Sequence, residues 1–454
     1  MPGFKEFAIT QASRRLLPLL GKASDESFEK FLRLAEKLAP GDYPRFVAGY
    51  LLESWRKRHP QMILLRNALR DINPNCRDTL VTNLLLRCHW HGHELREKAR
   101  AQGLPAPFTI LISPTMRCNL RCEGCYAAYY SPRDDLELDL IDRVLGEAKE
   151  LGTYIAVILG GEPFIRQDMW EIYKRHHDMI FHIFTNGTLI TREVAQRLAE
   201  RGNIVPAISI EGFEEDTDAR RGKGTFQKIM QAMDNLREAG VPFGFSSMVT
   251  RRNVETLISN EFYDMLIEKG CYLGWHFLYM PVGRDPDTSL MPTPEQRRLL
   301  RERGAARLRS EKPIWVMDFW NDAPYVTGCI AGGRHFFHIN SRGDVEPCIF
   351  QHFAVDNIKQ KSLKEVLMSP LFREIRSRQP YHENLLRPCM IIDHPHILRE
   401  MVAKYGARPT EPGAEAIVTG LADELDRYAA GVAREMDPVW EKEFASRGFS
   451  SGIK

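Results

Sequence analysis

From Phe108 to Met280 short apolar runs alternate with stretches of helical periodicity, and that alternation limits the fold more than any other feature of the chain. Strands are expected at 108–113, 154–159, 181–184, 207–210, 243–249 and 274–280, with helices near 138–151, 169–176, 192–201, 226–239 and 254–269. Apolar strands joined through helices form parallel sheets covered on their faces. The fold class that follows is α/β: a partial (β/α)6 TIM-like barrel rather than a closed eightfold one, with an open six-stranded sheet as the alternative.

The flanks read differently. Residues 1–105 form a basic N-terminal helical region broken by Pro40, Pro44, Pro60 and Pro74, with Phe28, Phe31, Leu32, Ala35 and Leu38 at helical spacing. The first hundred residues carry 18 Lys and Arg against 11 Asp and Glu, net +7, so the other 354 are net −5 within a total of +2. The barrel is assigned to 106–290, a small C-terminal domain with a β-hairpin to 291–412, and an amphipathic helix to 413–454 through Ile417, Leu421, Leu425 and Tyr428. At 43% hydrophobic and 27% charged residues, disorder and collagen are excluded. No apolar run reaches membrane-spanning length and the start lacks a secretory pattern, so a cytoplasmic location is expected.

Nine cysteines without an export signal point to metal or redox use instead of disulfides. After the first expected strand comes Cys118-Asn-Leu-Arg-Cys122-Glu-Gly-Cys125-Tyr126, a Cys-x3-Cys-x2-Cys spacing on a loop. Three thiolates within eight residues can converge on one inorganic centre, since thiolates ligate both zinc and iron-sulfur clusters. On spacing alone, buried structural cysteines, a zinc knuckle and a Cys-x-x-Cys redox pair stay open. No histidine follows closely enough to complete a knuckle, and three cysteines exceed a simple dithiol. One βα unit later stands Gly160-Gly161-Glu162-Pro163; the third expected strand ends in Asn186-Gly187 and the fourth in Ser209-Ile-Glu211-Gly212. All lie on the edge where βα folds place ligand groups.

In the triplet and the segment from Gly160 to Pro163 the chain resembles the radical S-adenosylmethionine superfamily over residues 108–280. The resemblance implies that Cys118, Cys122 and Cys125 are catalytic and hold a [4Fe-4S] cluster, leaving one iron open to the amino and carboxylate groups of S-adenosylmethionine. It implies cofactor contacts from Tyr126, Gly160, Gly161, Glu162, Asn186 and Ser209, with Arg221, beside Arg220, as a partner for the carboxylate. The implied reaction is reductive. An electron from a flavodoxin or ferredoxin enters the cluster, a carbon–sulfur bond breaks, and a 5′-deoxyadenosyl radical takes hydrogen from an unactivated carbon. One departure stands out: Gly124 occupies the place just before the third cysteine where the family commonly has an aromatic residue.

A second set, Cys329, Cys348 and Cys389, lies in the C-terminal domain, and Asn340-Ser-Arg-Gly343 between two β-rich runs predicts a turn that brings 329 and 348 together. This part resembles the SPASM or Twitch extension of the same superfamily, which implies an auxiliary [4Fe-4S] cluster on these three thiolates. Structural zinc is the other reading, and a fourth ligand is open among His352, Asp393, His394, water and substrate. Cys76, Cys88 and Cys271 read as buried thiols.

Residues 1–105 are expected to cap the barrel with a solvated basic face. The alternative is a surface for anionic partners or peripheral membrane contact, suggested by Arg14-Arg15 before Leu16, Leu17, Leu19 and Leu20, and by Trp55-Arg-Lys-Arg58. His89, His91 and His93 alternate around Trp90 and could meet on a metal only in a strand or loop. The leucine-rich front, without an evident peptide-docking wing, favours a lipid-like or other small-molecule substrate. A peptide- or protein-modifying SPASM-type maturase is the alternative, and a non-catalytic iron-sulfur or zinc protein the other class. No nucleic-acid partner is expected.

Overall fold

The computed structural model describes residues 19–39, 42–127 and 134–445. Six strands fall close to their expected places: β1 (Thr109–Ile112), β2 (Ile155–Ile158), β3 (Ile180–Thr185), β4 (Ile204–Ser209), β5 (Gly244–Val249) and β6 (Leu273–Leu278), each parallel to the next. Helices cross between them, started and stopped by local chemistry. Thr191 accepts from Val194 N at the start of Arg192–Arg201, and Gly202 ends that helix in the left-handed region.

The sheet extends past the expected boundary at 290. A seventh strand, β7 (Trp315–Asp318), pairs in parallel with β6. Its four residues follow Pro313, beyond the last of the expected βα units. On the other edge β8 (His338–Ile339) lies parallel to β1, and β9 (Asp344–Glu346) returns antiparallel across the predicted Asn340–Gly343 turn. The hairpin of the second cysteine set thus continues the barrel sheet instead of standing apart from it, and the two outer edges do not pair.

The two faces of each strand have different duties. In β6, His276 and Leu278 are buried, with the Tyr263 hydroxyl 2.7 Å from His276 Nε2, whereas Trp275 and Phe277 point the other way and are half-buried. The N-terminal helices cap one end of the barrel, and their polar groups bond the turns that lead into the strands. Gln61 Nε2 donates to Arg309 O and Ile314 O ahead of β7 (2.7 and 3.1 Å), and Asn73 N to Gly240 O ahead of β5 (2.8 Å). Asn75 Nδ2 reaches Ala199 O ahead of β4 and Asn83 Nδ2 reaches His177 O ahead of β3, at 2.8 and 2.9 Å. Arg96 Nη1 donates to Gly152 O ahead of β2 (2.5 Å). The expected cap is therefore present, at the N-terminal end of the strands.

Phe28, Leu32, Leu52, Met62 and Leu69 give the first three described helices a small core of their own. The segment with Arg14, Arg15, Leu16 and Leu17 lies outside the described residues. Residues 82–101 are helical, so the three alternating histidines do not converge; His89 packs on Phe108 and His91 on Tyr154. The last helix is Ala422–Glu443, later than expected. No described helix is long and apolar enough to cross a membrane.

Candidate active site and second thiol set

The C-terminal ends of β1 to β4 bring the expected site residues to one edge. The loop after β1 carries Cys118, Cys122 and Cys125, and the turn after β2 lies against it: Gly161 N donates to Thr115 O (2.9 Å) and Glu162 N to Arg117 O (2.8 Å). A Cβ on Gly160 would stand 2.2 Å from Thr115 O, and one on Gly161 2.2 Å from Arg117 O. The glycine pair is therefore required by the backbone that leads into Cys118.

Glu162 is fully buried and already occupied. Its carboxylate accepts from Phe164 N (3.1 Å), Thr185 Oγ1 (2.8 Å) and Asn186 N (2.8 Å), while burial pushes its pKa up against those bonds. It ties the ends of β2 and β3 together. Arg221 is also engaged within the protein. Arg220 Nη1 and Arg221 Nη2 both donate to the buried Glu211 carboxylate, at 2.6 and 2.5 Å, and Glu211 also takes Met248 N (2.9 Å). Although burial opposes it, the two guanidinium groups hold Glu211 below the usual carboxylate range. Glu123 N donates to Arg220 O (3.0 Å), so this cluster anchors the cysteine loop.

Asn186 does reach the thiols: its Nδ2 lies 3.9 Å from Cys118 Sγ and 2.9 Å from Asn119 Oδ1. Leu120 N donates to the same sulfur at 3.4 Å, and burial lifts the Cys118 thiol to about 11. Ser209 Oγ lies 3.2 Å from Ser246 Oγ at the ends of β4 and β5. Tyr126 turns inward, its buried hydroxyl facing the Gly160 backbone. The glycine departure has a steric explanation. Gly124 has φ of +61°, and a Cβ there would lie 2.7 Å from the ring of Tyr279, which fills the space in front of the loop.

The second set also converges. Cys348 feels Cys329, and the phenol of Tyr381 lies in the field of Cys329, Cys348 and Cys389 together. Burial lifts Cys348 to about 12, and backbone N–H groups face the sulfurs, Ile391 N donating to Cys389 Sγ at 3.4 Å. The three candidates for a fourth ligand have other contacts. Asp393 takes Cys389 N (3.0 Å) and the guanidinium of buried Arg297; His394 Nε2 bonds Arg387 O (2.8 Å). His352 is buried with a positive φ, stacks on Tyr126 at 6.2 Å and lies 3.6 Å from the Glu346 carboxylate.

Among the described residues no three of His, Cys, Asp and Glu stand close enough to share one ion. Two triads of thiols, five of the six residues half-buried and Cys122 buried, with backbone N–H donors facing sulfurs in each set, fit the donor chemistry of multi-iron clusters, whose thiolates lie farther apart than around a single ion.

One feature escaped sequence reading: a wall of rings inside the barrel. Trp275 stacks on Phe319 at 5.3 Å, Phe319 meets Phe277 at 5.4 Å, and Phe277 meets Phe184 at 5.6 Å and Phe350 at 6.3 Å. Phe350 in turn packs edge-on to Tyr126 at 5.6 Å. His182 closes the far end with both nitrogens used, Nδ1 to Val205 O and Nε2 accepting from Trp275 Nε1, both at 2.9 Å. The signal was the alternation His182-x-Phe184 and Trp275-x-Phe277, which puts these residues on one strand face.

Comparison with known proteins agrees with this geometry. Residues 112–258 match the radical SAM superfamily model and residues 329–390 the iron-sulfur cluster-binding SPASM domain. The mycofactocin maturase MftC of Mycolicibacterium smegmatis is 34% identical over 302 residues, 61% of this chain and 74% of that protein. An AdoMet-dependent heme synthase of Methanosarcina barkeri is 26% identical over 318 residues, 64% of this chain and 89% of that protein. Streptococcus suis SuiB bound to S-adenosylmethionine shares the fold with a TM-score of 0.54 at 20% identity, covering 76% of this chain and 84% of that one. The chain belongs to the radical S-adenosylmethionine superfamily, as an enzyme that uses S-adenosylmethionine and a [4Fe-4S] cluster and carries a SPASM iron-sulfur domain.

Proposed function

We propose that this enzyme is a maturase that takes hydrogen from a carbon of a peptide side chain. The observation that carries the reading is the ring wall from Trp275 to Tyr126, which lines the barrel interior up to the cysteine loop and offers an apolar or aromatic side chain a dry surface. The names of two similar proteins support it: one is a maturase, and SuiB has been solved bound to its precursor peptide. The described N-terminal helices cover the opposite end of the strands from Cys118, so they say nothing about what enters here.

In this reading Cys118, Cys122 and Cys125 hold the catalytic cluster, and Cys329, Cys348 and Cys389 the auxiliary one. Bound together, cluster and S-adenosylmethionine supply one-electron reductive cleavage and the hydrogen-abstracting species, with a flavodoxin or ferredoxin as electron donor. The chain's own residues position and exclude water. Gly160 and Gly161 hold the turn against Cys118, Asn186 faces its sulfur, Ser209 and Tyr126 flank the open edge, and the Glu211 pair with Arg220 and Arg221 keeps the loop in place.

The test is anaerobic reconstitution, reduction with dithionite, and incubation with a small peptide encoded beside the gene, deuterated at its side-chain carbons. Deuterium should appear in 5′-deoxyadenosine, and Trp275→Ala should lose peptide-stimulated turnover while retaining basal cleavage. Turnover indifferent to the peptide, with no deuterium transferred, would sink the peptide reading.

A further inference from the structure

Glu346 ends β9 and is fully buried, just ahead of Cys348. Three donors bond its carboxylate and a fourth stands close: His338 Nδ1 lies 2.7 Å from Oε2, the Thr410 hydroxyl and Asn340 Nδ2 (3.4 Å) bond Oε1, and His352 Nδ1 is 3.6 Å from Oε1. The neighbouring acids of this hairpin find their partners within the C-terminal region, Asp344 in Arg408 and Asn357, Asp356 in Lys361. Glu346 instead gathers two imidazoles. A buried carboxylate is a costly way to pack a hairpin, so what the two histidines touch next is informative.

Both lead to the catalytic loop. An ionised carboxylate can only accept, so His338 donates through Nδ1, which leaves Nε2 of the neutral ring to accept from the Ser113 hydroxyl 2.7 Å away. Ser113 follows β1 and opens the segment that runs to Cys118. His352 stacks on Tyr126, the rings 13° from parallel and 6.2 Å apart, and faces the Tyr126 main chain beside Cys125. Its backbone is strained at φ of +50° and fastened by Thr410 N, which donates to His352 O at 2.9 Å. The two arms meet again at the glycine turn. A Cβ on Gly160 would lie 3.3 Å from Ser113 Cβ, and the Tyr126 hydroxyl faces the Gly160 backbone. Ser113 and Tyr126 bracket the three thiols in sequence, and one carboxylate reaches toward both.

We infer that Glu346 is a positioning residue for the catalytic cysteine loop, gripping its two ends through His338 with Ser113 and through His352 with Tyr126. It acts through the histidines, and so sets where Cys118, Cys122 and Cys125 stand against the Gly160–Gly161 turn. Because β9 joins the barrel sheet through β8 and β1, the grip belongs to the barrel and outlasts loss of the auxiliary iron. A displacement of about 1 Å at a reacting centre can cost on the order of a hundredfold in rate, which bounds the effect from above. Basal cleavage of S-adenosylmethionine needs no peptide, so the inference stands apart from the peptide reading.

Glu346→Gln keeps the shape of the side chain but turns one acceptor into a donor among donors. In the full-length reconstituted enzyme it should slow basal 5′-deoxyadenosine formation by about ten- to a hundredfold while both sets of iron are retained. Two readouts besides rate should move with it: the change that S-adenosylmethionine produces in the electron paramagnetic resonance spectrum of the reduced enzyme, and hydrogen exchange over residues 113–126, which should quicken. Asp356→Asn removes a buried acid from the adjacent strand and controls for hairpin stability; it should keep the wild-type rate and spectrum. Ser113→Ala cuts one arm alone and should slow the reaction less, and the double variant should be no slower than Glu346→Gln. A wild-type spectrum and exchange in Glu346→Gln, whatever its rate, overturns the inference. So does equal slowing by Asp356→Asn, or additive slowing in the double variant. If Glu346→Gln does not hold its iron, Ser113→Ala decides alone, and a wild-type rate with unchanged exchange there is equally fatal.

Discussion

Cys118, Cys122 and Cys125 come from eight consecutive residues, whereas Cys329, Cys348 and Cys389 are drawn from a span of sixty-one. The first set is held by main-chain bonds between neighbouring βα loops, Gly161 to Thr115 and Glu162 to Arg117, which exist whether or not the thiols do. The second depends on a short hairpin, on Arg297 paired with Asp393, and on a C-terminal helix that brings Tyr428 beside Arg297. A local triad can be a site added to a finished fold, while a dispersed one takes part in the folding of its own domain.

The largest effect should come from replacing the thiols themselves. Cys118→Ala, Cys122→Ala and Cys125→Ala together should abolish 5′-deoxyadenosine formation and cut iron from about eight to about four per chain, with little change in melting temperature. Cys348→Ala should do the reverse: it should lose the auxiliary iron and several kcal/mol of stability while keeping basal cleavage of S-adenosylmethionine, on the order expected when a metal site is coupled to folding. Iron analysis, chromatography and calorimetry read all three quantities. Equal loss of stability in the two variants would break the distinction.

Arg297→Met is the next step down. Arg297 and Asp393 are nearly inaccessible, and removing one charge leaves the other buried without a partner, at a cost of about 3 to 5 kcal/mol. Because Asp393 also accepts Cys389 N, the loss should be accompanied by lower auxiliary iron with catalytic iron unchanged, read by urea unfolding and iron content.

How far these sites were legible follows the same division. The Cys-x3-Cys-x2-Cys loop, the Gly160–Pro163 turn and six strands are local patterns, and each was readable from spacing and apolar runs. The seventh strand was not, because a short apolar run that can equally be buried helix lies behind Pro313, past the last alternating βα unit. The joining of β8 to β1 is a pairing between residues more than two hundred positions apart, for which one sequence contains no sign. Glu162 and Arg221 were assigned to ligand by residue type, yet their partners, Thr185, Asn186 and Glu211, were within reach on adjacent strand ends. A charged side chain near a site is as often its scaffold as its contact, and only the hydrogen bonds tell the two apart.

The smallest effect is the most discriminating for the loop itself. Gly124→Ala places a side chain in the left-handed region, costing about 1 kcal/mol, and adds the contact with Tyr279. Tyr279 is fully buried and accepts from Asp287 N at 3.2 Å, so it cannot swing away cheaply. The loop should yield instead, slowing 5′-deoxyadenosine formation while the auxiliary iron and the melting temperature stay nearly constant. Tyr279→Leu opens the space, so the double variant should recover part of that rate although it is less stable than either parent. Non-additivity in rate but not in stability would locate the strain in the cysteine loop. A Gly124→Ala enzyme that cleaves S-adenosylmethionine at the wild-type rate would mean that the loop adjusts freely, and that the first set is no more rigidly specified by its neighbours than the second.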